Sequence, residues 1–440
     1  MGLLTALLAS SAPGAEYLDE DRPAPGDAKE ELHPVDVAVQ PPEEVERLVH
    51  LQGLKERLAN TPPVLRDATL VYKFRTYDFR RENPDDSRND AWGIGGEIAL
   101  ETGELFGLVK GGASYYISQA ISDPERRDGS MILGPEQSNI YKLGQLWGQI
   151  GDEKKLAARL GRQVFSLPYI NIDVSRMIPR THEAYVIARR GTGRDFAIGH
   201  FLKTKAQGSE KFVYMSEAAG GGTKDRGVSA LVGRLALGEN AVAGVFNYYG
   251  WDLYNTLYLE ADWNGRLFDD FGIKLGAQYT KQDSVGDELV GDFDTDHVGL
   301  KASGSHLGAV LSLAYTWTDD GGAIRRDWGE PPGYNFRLLA TFDRANEQSF
   351  GVGLSSTGRH FGAPWLSGAF HVVRGWDAED ETTGASLPDV TQYDAALISR
   401  PTQGLLKGLD FRLVYAVADF DGGTDSWNTR VIVNYRFDLL

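Results

Sequence analysis

Arg430 and Arg436 in the closing stretch SWNTRVIVNYRFDLL stand at positions of the same parity, as do Lys73 and Arg75 in TLVYKFRTYDF. In an extended chain such residues share one face. The opposite face of the closing stretch is Val431, Val433, Tyr435, Phe437 and Leu439, with Ile432, Asn434 and Asp438 on the side of the arginines. In the first stretch Leu70, Tyr72 and Phe74 oppose the two cations. Elsewhere Phe411, Leu413 and Tyr415 oppose Asp410 and Arg412, and Leu156, Ala158 and Leu160 oppose Arg159. Guanidiniums are planar, permanently charged forks suited to carboxylates. A row of them on one wall would gather small anions, provided the chain bathes one side of each strand in hydrocarbon and the other in water.

Composition narrows what could do this. The 440 residues carry a net charge of −17 and a mean hydropathy of −0.32, and no apolar run approaches the roughly 18 residues of a spanning helix. A bundle of membrane helices is excluded, and so acidic a chain is a poor partner for nucleic acid. Glycine is abundant, 52 residues, and aromatics make up 11%. Cysteine is absent, so disulfides do not hold the chain together.

From about residue 68, segments of roughly ten residues alternate apolar with polar side chains between Gly, Asp and Asn punctuation. Tight connections (ETGE, GDEK, GTGR, GEN, PTQG) alternate with long polar ones such as SDPERRDGSMILGPEQS, KAQGSEKFVYMSEAAGGGTKD and DAEDETTGASLPD. Short turns on one rim and long loops on the other predict a transmembrane antiparallel β-barrel, an all-β fold. Strand cores start near residues 69, 91, 105, 139, 154, 182, 194, 227, 241, 253, 271, 294, 307, 334, 348, 365, 390, 408 and 427. A single-chain bacterial barrel with both ends in the periplasm needs an even number. Treating 334–343 as part of a long loop restores the short–long rhythm and leaves 18 strands; twenty is the alternative. In lipid only helices or a closed sheet satisfy the backbone. An Arg on the lipid face costs about 2–4 kcal/mol at mid-bilayer, so Arg159, Arg412, Arg430 and Arg436 should face the lumen. Pairing of the first and last strands would gather Lys73, Arg75, Arg412, Arg430 and Arg436 into a basic strip.

Ahead of the barrel, residues 1–15 read as the remnant of a secretory signal, lacking a basic start, with cleavage near Ala12 or Ala15. Residues 16–66 read as a Pro- and acid-rich periplasmic linker carrying one amphipathic helix at 43–59, and 67–440 as the barrel. The helix would plug the lumen, tether the protein or trimerise. No catalytic constellation is present: G-x-S-x-G is missing, HEAY at 182–185 lacks a second His, and GIGGE at 93–97 falls within a strand. DFDTDH at 292–297 starts like a calcium loop but lacks its Gly and Glu, so it reads as a solvated loop, with divalent bridging to lipopolysaccharide as the alternative. Neither a cofactor nor a metal is expected.

The stretch GRQVFSLPYINIDVSRMIPRTHEAY (161–185), with its Pro, Asp-x-x-Arg and Pro-x-Thr, resembles the pore-narrowing segment of the OprD family of substrate-specific outer-membrane porins. NYYGWDLYNTLYLEADW, AQYTKQDSVGDELVGDFDTDHVGLKASG, WGEPPGYN with FDRANE, and KGLDFRLVYA extend the likeness over residues 68–440. The resemblance implies an 18-strand channel in the outer membrane of a Gram-negative bacterium, often packed as a trimer, inserted by the barrel-assembly machinery and surrounded by lipid and lipopolysaccharide. It implies a loop folded inward to a constriction, with Asp173, Arg176 and Arg180 at that constriction and Lys73, Arg75, Arg412, Arg430 and Arg436 on a basic ladder. The expected solutes are small carboxylates: amino acids, aromatic acids and other organic acids. An alginate-export-type barrel with an arginine-rich lumen is the rival reading. Two features depart from the family pattern, the long stretch before the barrel and the non-aromatic last residue, Leu440.

Overall fold

The computed structural model describes residues 49–440 other than 125, 126, 153, 174, 192, 269 and 270. The expected signal remnant and most of the expected linker therefore lie outside the described residues.

Eighteen long strands form the wall, each hydrogen-bonded antiparallel to the next. They are β1 Thr69–Glu82, β2 Arg88–Glu101, β3 Val109–Ser122, β4 Ile140–Asp152, β5 Leu156–Gln163 and β6 Thr181–Gly191. Next come β7 Arg194–Lys205, β8 Val228–Ala236, β9 Ala241–Gly250, β10 Tyr254–Phe268, β11 Phe271–Ser284 and β12 Asp294–His306. The last six are β13 Ala309–Thr318, β14 Gln348–Thr357, β15 Leu366–Trp376, β16 Val390–Ser399, β17 Leu409–Phe420 and β18 Ser426–Asp438. Pairing of β1 with β18, from Val71↔Asp438 to Glu82↔Trp427, closes the barrel. Closure satisfies every wall strand's ladder and leaves no edge, which is what hydrocarbon demands. The 334–343 segment forms no strand and belongs to the long connection 319–347, which separates 18 from twenty strands.

Alternation sorts the faces. Leu160, Leu300 and Leu354 are each more than half exposed, while the residues beside them in sequence point into the barrel. Tyr72, Tyr435 and Phe437 cluster on the outer face near the short-turn rim, with Tyr72 and Phe437 stacked at 5.8 Å, as an interfacial aromatic belt requires. The glycine pair in GIGGE has a structural reason. Gly95 and Gly96 adopt φ of 151° and 125°, and a Cβ on Gly96 would lie 1.9 Å from the Lys73 carbonyl oxygen. Only glycine lets β2 approach β1 so closely there.

Ahead of β1 the described residues hold only part of the expected helical span. Described helix covers only α1 Gln52–Leu58, followed by α2 Pro63–Arg66, and residues 43–48 lie outside the described residues. Pro62 and Pro63 enforce the break, because proline cannot donate inside a helix. None of the α1 residues is buried. This stretch is tied to the short-turn rim by His50 N to Asp438 O, Leu51 N to Leu439 O (both 3.0 Å) and Gly103 N to Val64 O (3.1 Å).

Two long connections fold into the lumen. Residues 164–180 make a small hairpin, Ser166–Leu167 against Ile170–Asn171, with Tyr169 at φ 64° in its turn. Phe165, Tyr169 and Ile170 bury themselves on an apolar inner wall that includes Ala184, Phe201, Val228, Phe246 and Tyr258. The 319–347 connection adds Trp328, stacked on Tyr254 at 4.7 Å and 5°. Asn171 and Glu330 stitch the two connections together, Asn171 Nδ2 donating to Glu330 O (2.8 Å) and Glu330 N donating to Asn171 Oδ1 (3.1 Å).

Candidate substrate-conducting constriction

The inner faces of β17, β18 and β1 form a polar wall. Register places Lys73 opposite Arg436, Arg75 opposite Asn434, Phe79 opposite Arg430 and Ile432 opposite Arg412. Directly paired residues share a face, so Lys73, Arg75, Arg412, Arg430 and Arg436 all face inward on neighbouring strands. The expected lipid-side partners, Val431, Val433, Tyr435, Phe411, Leu413 and Tyr415, take the other face.

The strip is not uniformly charged. Lys73 Nζ lies 3.1 Å from Glu97, and Arg436 Nε lies 2.7 Å from Asp438. Asp410 accepts two hydrogen bonds from Arg412, both 2.7 Å, and one from Arg400 at 2.9 Å. Higher on the wall, neutral groups also accept hydrogen bonds from the arginines. Arg75 donates to Asn434 Oδ1 (2.8 Å) and to the Arg176 carbonyl (2.6 Å), and Arg430 donates to Asn428 Oδ1 (2.6 Å).

Here the inward segment meets the wall. Tyr77 Oη donates to Ser175 O (3.0 Å), and Arg176 is held by Ser130 O and Ser175 O, both 2.8 Å. The guanidiniums of Arg176 and Arg430 both lie over the buried ring of Phe79, at 4.8 and 5.4 Å from its centre. The negative ring face offsets part of the repulsion between two cations brought this close. Arg180 donates to Asp327 O at 3.1 Å. Asp173, at φ 40°, accepts from Ser175 Oγ at 2.6 Å. Burial opposes ionisation of Asp173, yet the Arg180 guanidinium, the Ser175 hydroxyl and Arg176 together hold its carboxyl below the usual range. Asp173, Arg176 and Arg180 thus sit together on the inward segment, beside Arg75 and Arg430. Arg159 does not join them: it faces the lumen from β5, across β2–β4, with its guanidinium 4.1 Å from the Trp147 ring centre and Nε bonded to Gln149 Oε1 at 2.8 Å.

Sequence reasoning missed several members. Arg81 shares the inward parity of Arg75 and was legible by the same rule. Asp410, Glu97, Asp438 and Arg400 set the local charge balance, and only pairing geometry reveals them as partners. Glu330 lies in a loop without periodicity. Burial and the nearby Asp173 carboxylate push the Glu330 carboxyl up to about 8, against the pull of Arg176, Arg430 and Arg180. A raised value means a neutral acid below that pH and a carboxylate above it. Anion preference is therefore expected to fall as pH rises through about 8, and Glu330→Gln should flatten the dependence. Reversal potentials across a pH series check this, and an unchanged slope in Glu330→Gln would refute it.

At the long-loop rim Asp294, Asp296 and Asp319 bring oxygens within 4.8 Å of one another. Lys281 Nζ stands 2.6 Å from Asp294 and 3.7 Å from Asp296, supplying a cation from the chain itself.

Comparison with known proteins agrees with this architecture. No curated protein matches the sequence. Among solved structures, OccK9 (OpdG) of Pseudomonas aeruginosa superposes with a TM-score of 0.78 at 17% identity, covering 86% of this chain and 100% of that one. A BenF-like porin from Pseudomonas fluorescens Pf-5 gives 0.77 at 17% identity, covering 86% and 100%. OpdK of Pseudomonas aeruginosa, solved with vanillate, gives 0.74 at 17%, covering 84% and 99%. At such identities the likeness establishes the fold. The profile of the OprD family, described as outer membrane porin, matches residues 65–439. With the whole barrel, Thr69 to Asp438, inside that match, the chain belongs to the OprD family of outer membrane porins, channels of the Gram-negative outer membrane.

Proposed function

We propose that this porin passes small carboxylate-bearing solutes, namely amino acids and aromatic or other organic acids, by diffusion guided along its basic wall. The observation that carries this reading is the convergence of Arg176 and Arg430 on one aromatic ring where the inward segment narrows the lumen, with Arg180 and Arg75 close by. Fixed guanidiniums in a narrow, low-dielectric-walled passage raise the local concentration of anions and speed their entry by about 10-fold or more. Lys73, Arg412 and Arg436 extend the path toward the periplasm, tempered by their acidic neighbours. Asp173, held ionised beside Arg180, offers a counter-charge to an α-ammonium, so a zwitterion would be sorted by both ends. That the neighbouring OpdK was solved with vanillate is consistent with an acid-selective lumen of this shape.

The test is purified protein in planar bilayers and in liposomes. The expected result is an anion-favouring reversal potential and faster swelling with glycine, glutamate or benzoate than with a neutral sugar of similar size. Cation preference, or swelling governed by size alone, would overturn the reading.

A further inference from the structure

The lipid-facing side of the wall carries cations in excess at one place. Arg162 is the next to last residue of β5, Glu183 the third of β6 and Lys203 the third from the end of β7, and register sets them in one row, Arg162↔Glu183↔Lys203. The row is on the outside, because Arg162 pairs on its other flank with Leu146, which is 54% exposed. Strict alternation would turn Lys203 inward with the buried Phe201. A bulge prevents this: Ala184 pairs with Phe201 but Glu183 with Lys203, so the extra Leu202 brings Lys203 out beside Glu183. All three residues lie at the long-loop end, which in outer-membrane barrels faces the outside of the cell, and a lipid-side cation costs little so near the interface. The segment 210–214 crosses the same end of the strands. Glu210 Oε1 accepts from Tyr141 N at 2.7 Å, the Phe212 ring centre lies 4.5 Å from the Arg162 guanidinium, and the Tyr214 ring centre lies 4.8 Å from Lys203 Nζ. Acids do not match these cations. Arg162 Nε meets Glu183 at 3.2 Å, and among the described residues Lys203 has no carboxylate at ion-pair distance. Other outward cations at this end are outnumbered: Lys281 meets Asp294 and Asp296, and Arg374 lies 2.9 and 3.1 Å from Asp389 and Asp421.

We propose that Arg162 and Lys203 form an exterior binding site for a phosphate group of lipopolysaccharide, the phosphorylated glycolipid of the outer leaflet. The backbones of the two residues stand two strand spacings apart, about 10 Å, a gap that two long side chains span by converging on one phosphate. Each contact is a charge-assisted hydrogen bond, and a phosphate offers oxygens to both cations at once. The Phe212 and Tyr214 rings hold the two cations by their negative faces without neutralising them. Glu183 orients the Arg162 guanidinium and tempers the field, which keeps the lipid exchangeable. The height of the row selects the occupant, because phosphates of the glycolipid lie at the outer interface and the acyl chains below meet Leu146, Leu160 and Tyr185. The site is outside the wall and independent of what the lumen conducts.

Native mass spectrometry of the detergent-solubilised barrel with purified bisphosphorylated lipid A tests this. The unmodified protein is expected to hold that lipid on the order of tenfold more tightly than lipid A stripped of its phosphates. Arg162→Ala combined with Lys203→Ala should abolish the preference, Arg162→Lys combined with Lys203→Arg should keep most of it, and Glu183→Gln should raise it. Arg374→Ala, which removes an outward cation already flanked by two acids, should leave it as it was. Reversal potentials in potassium chloride should be the same for all of these variants, since none of the side chains enters the lumen. Equal binding of the two lipids would overturn the site, and so would a preference undiminished in the double alanine variant or lost equally in Arg374→Ala. Lys203→Ala alone breaks no ion pair among the described residues, so an unchanged preference there overturns the site even if the double variant does not fold. Displacement of lipid A by inorganic phosphate at equal concentration would overturn the glycolipid as occupant.

Discussion

Replacing Arg430 with alanine is expected to lower the anion-to-cation permeability ratio on the order of fivefold to tenfold, whereas Arg436→Ala should shift it less than half as much. Both changes remove one positive charge, so the difference is one of place. Arg436 stands at the end of β18 near the short-turn rim, ion-paired with Asp438 at 2.7 Å, and both side chains keep about a fifth of their exposure. Water and salt screen charges there, with a Debye length of about 8 Å at physiological ionic strength. Arg430 is 6% exposed, hydrogen-bonds to the neutral Asn428, and shares Phe79 with Arg176 at a junction of wall and inward segment. Its field acts where the inward segment meets the wall, with less solvent around it than Arg436 has. Arg430→Lys should recover most of the ratio, because the charge returns even though the planar fork does not. Bilayer reversal potentials decide, and equal shifts for Arg430→Ala and Arg436→Ala would remove the constriction from the account.

A second large effect is expected from Trp328→Ala, which should raise single-channel conductance roughly twofold or more by freeing lumen cross-section. Trp328 is 1% exposed and stacked on Tyr254, and its indole Nε1 donates to Met215 O at 2.9 Å. Its own carbonyl accepts from His182 Nε2 at 3.0 Å. Through Glu330 and Asn171 the same segment braces the hairpin that carries Asp173 and Arg176. Truncating a buried tryptophan costs about 3–5 kcal/mol, and here that cost falls on the docking of two inward segments. The wall strands keep their own ladders, so heat-modifiable migration on gels should still report a folded barrel. A folded Trp328→Ala barrel with unaltered conductance would show that these segments are held by something else.

Parity made the wall legible in the sequence. Once one face of a strand must meet hydrocarbon, a period of two assigns every side chain, and an inward Arg75, Arg159, Arg412, Arg430 or Arg436 follows without coordinates. The same rule would have found Arg81. The even-number requirement and the rhythm of connections excluded a strand at 334–343 for the same reason. The inward segments carry no such period. Asp173, Arg176 and Arg180 were placed by likeness to a family, and Glu330 not at all, because loop conformation is set by which wall residues it can bury against.

What the sequence by itself determined is the lipid-facing and water-facing identity of the strand residues, since each residue there answers to a solvent and solvents act locally. What only the tertiary structure decided is the charge the lumen presents: that Asp410 clamps Arg400 and Arg412, that Glu97 answers Lys73, and that Arg176 crosses to meet Arg430 over Phe79. Those pairings join residues far apart in the chain, and Coulomb energies depend on distance and surrounding dielectric, neither of which a linear pattern contains.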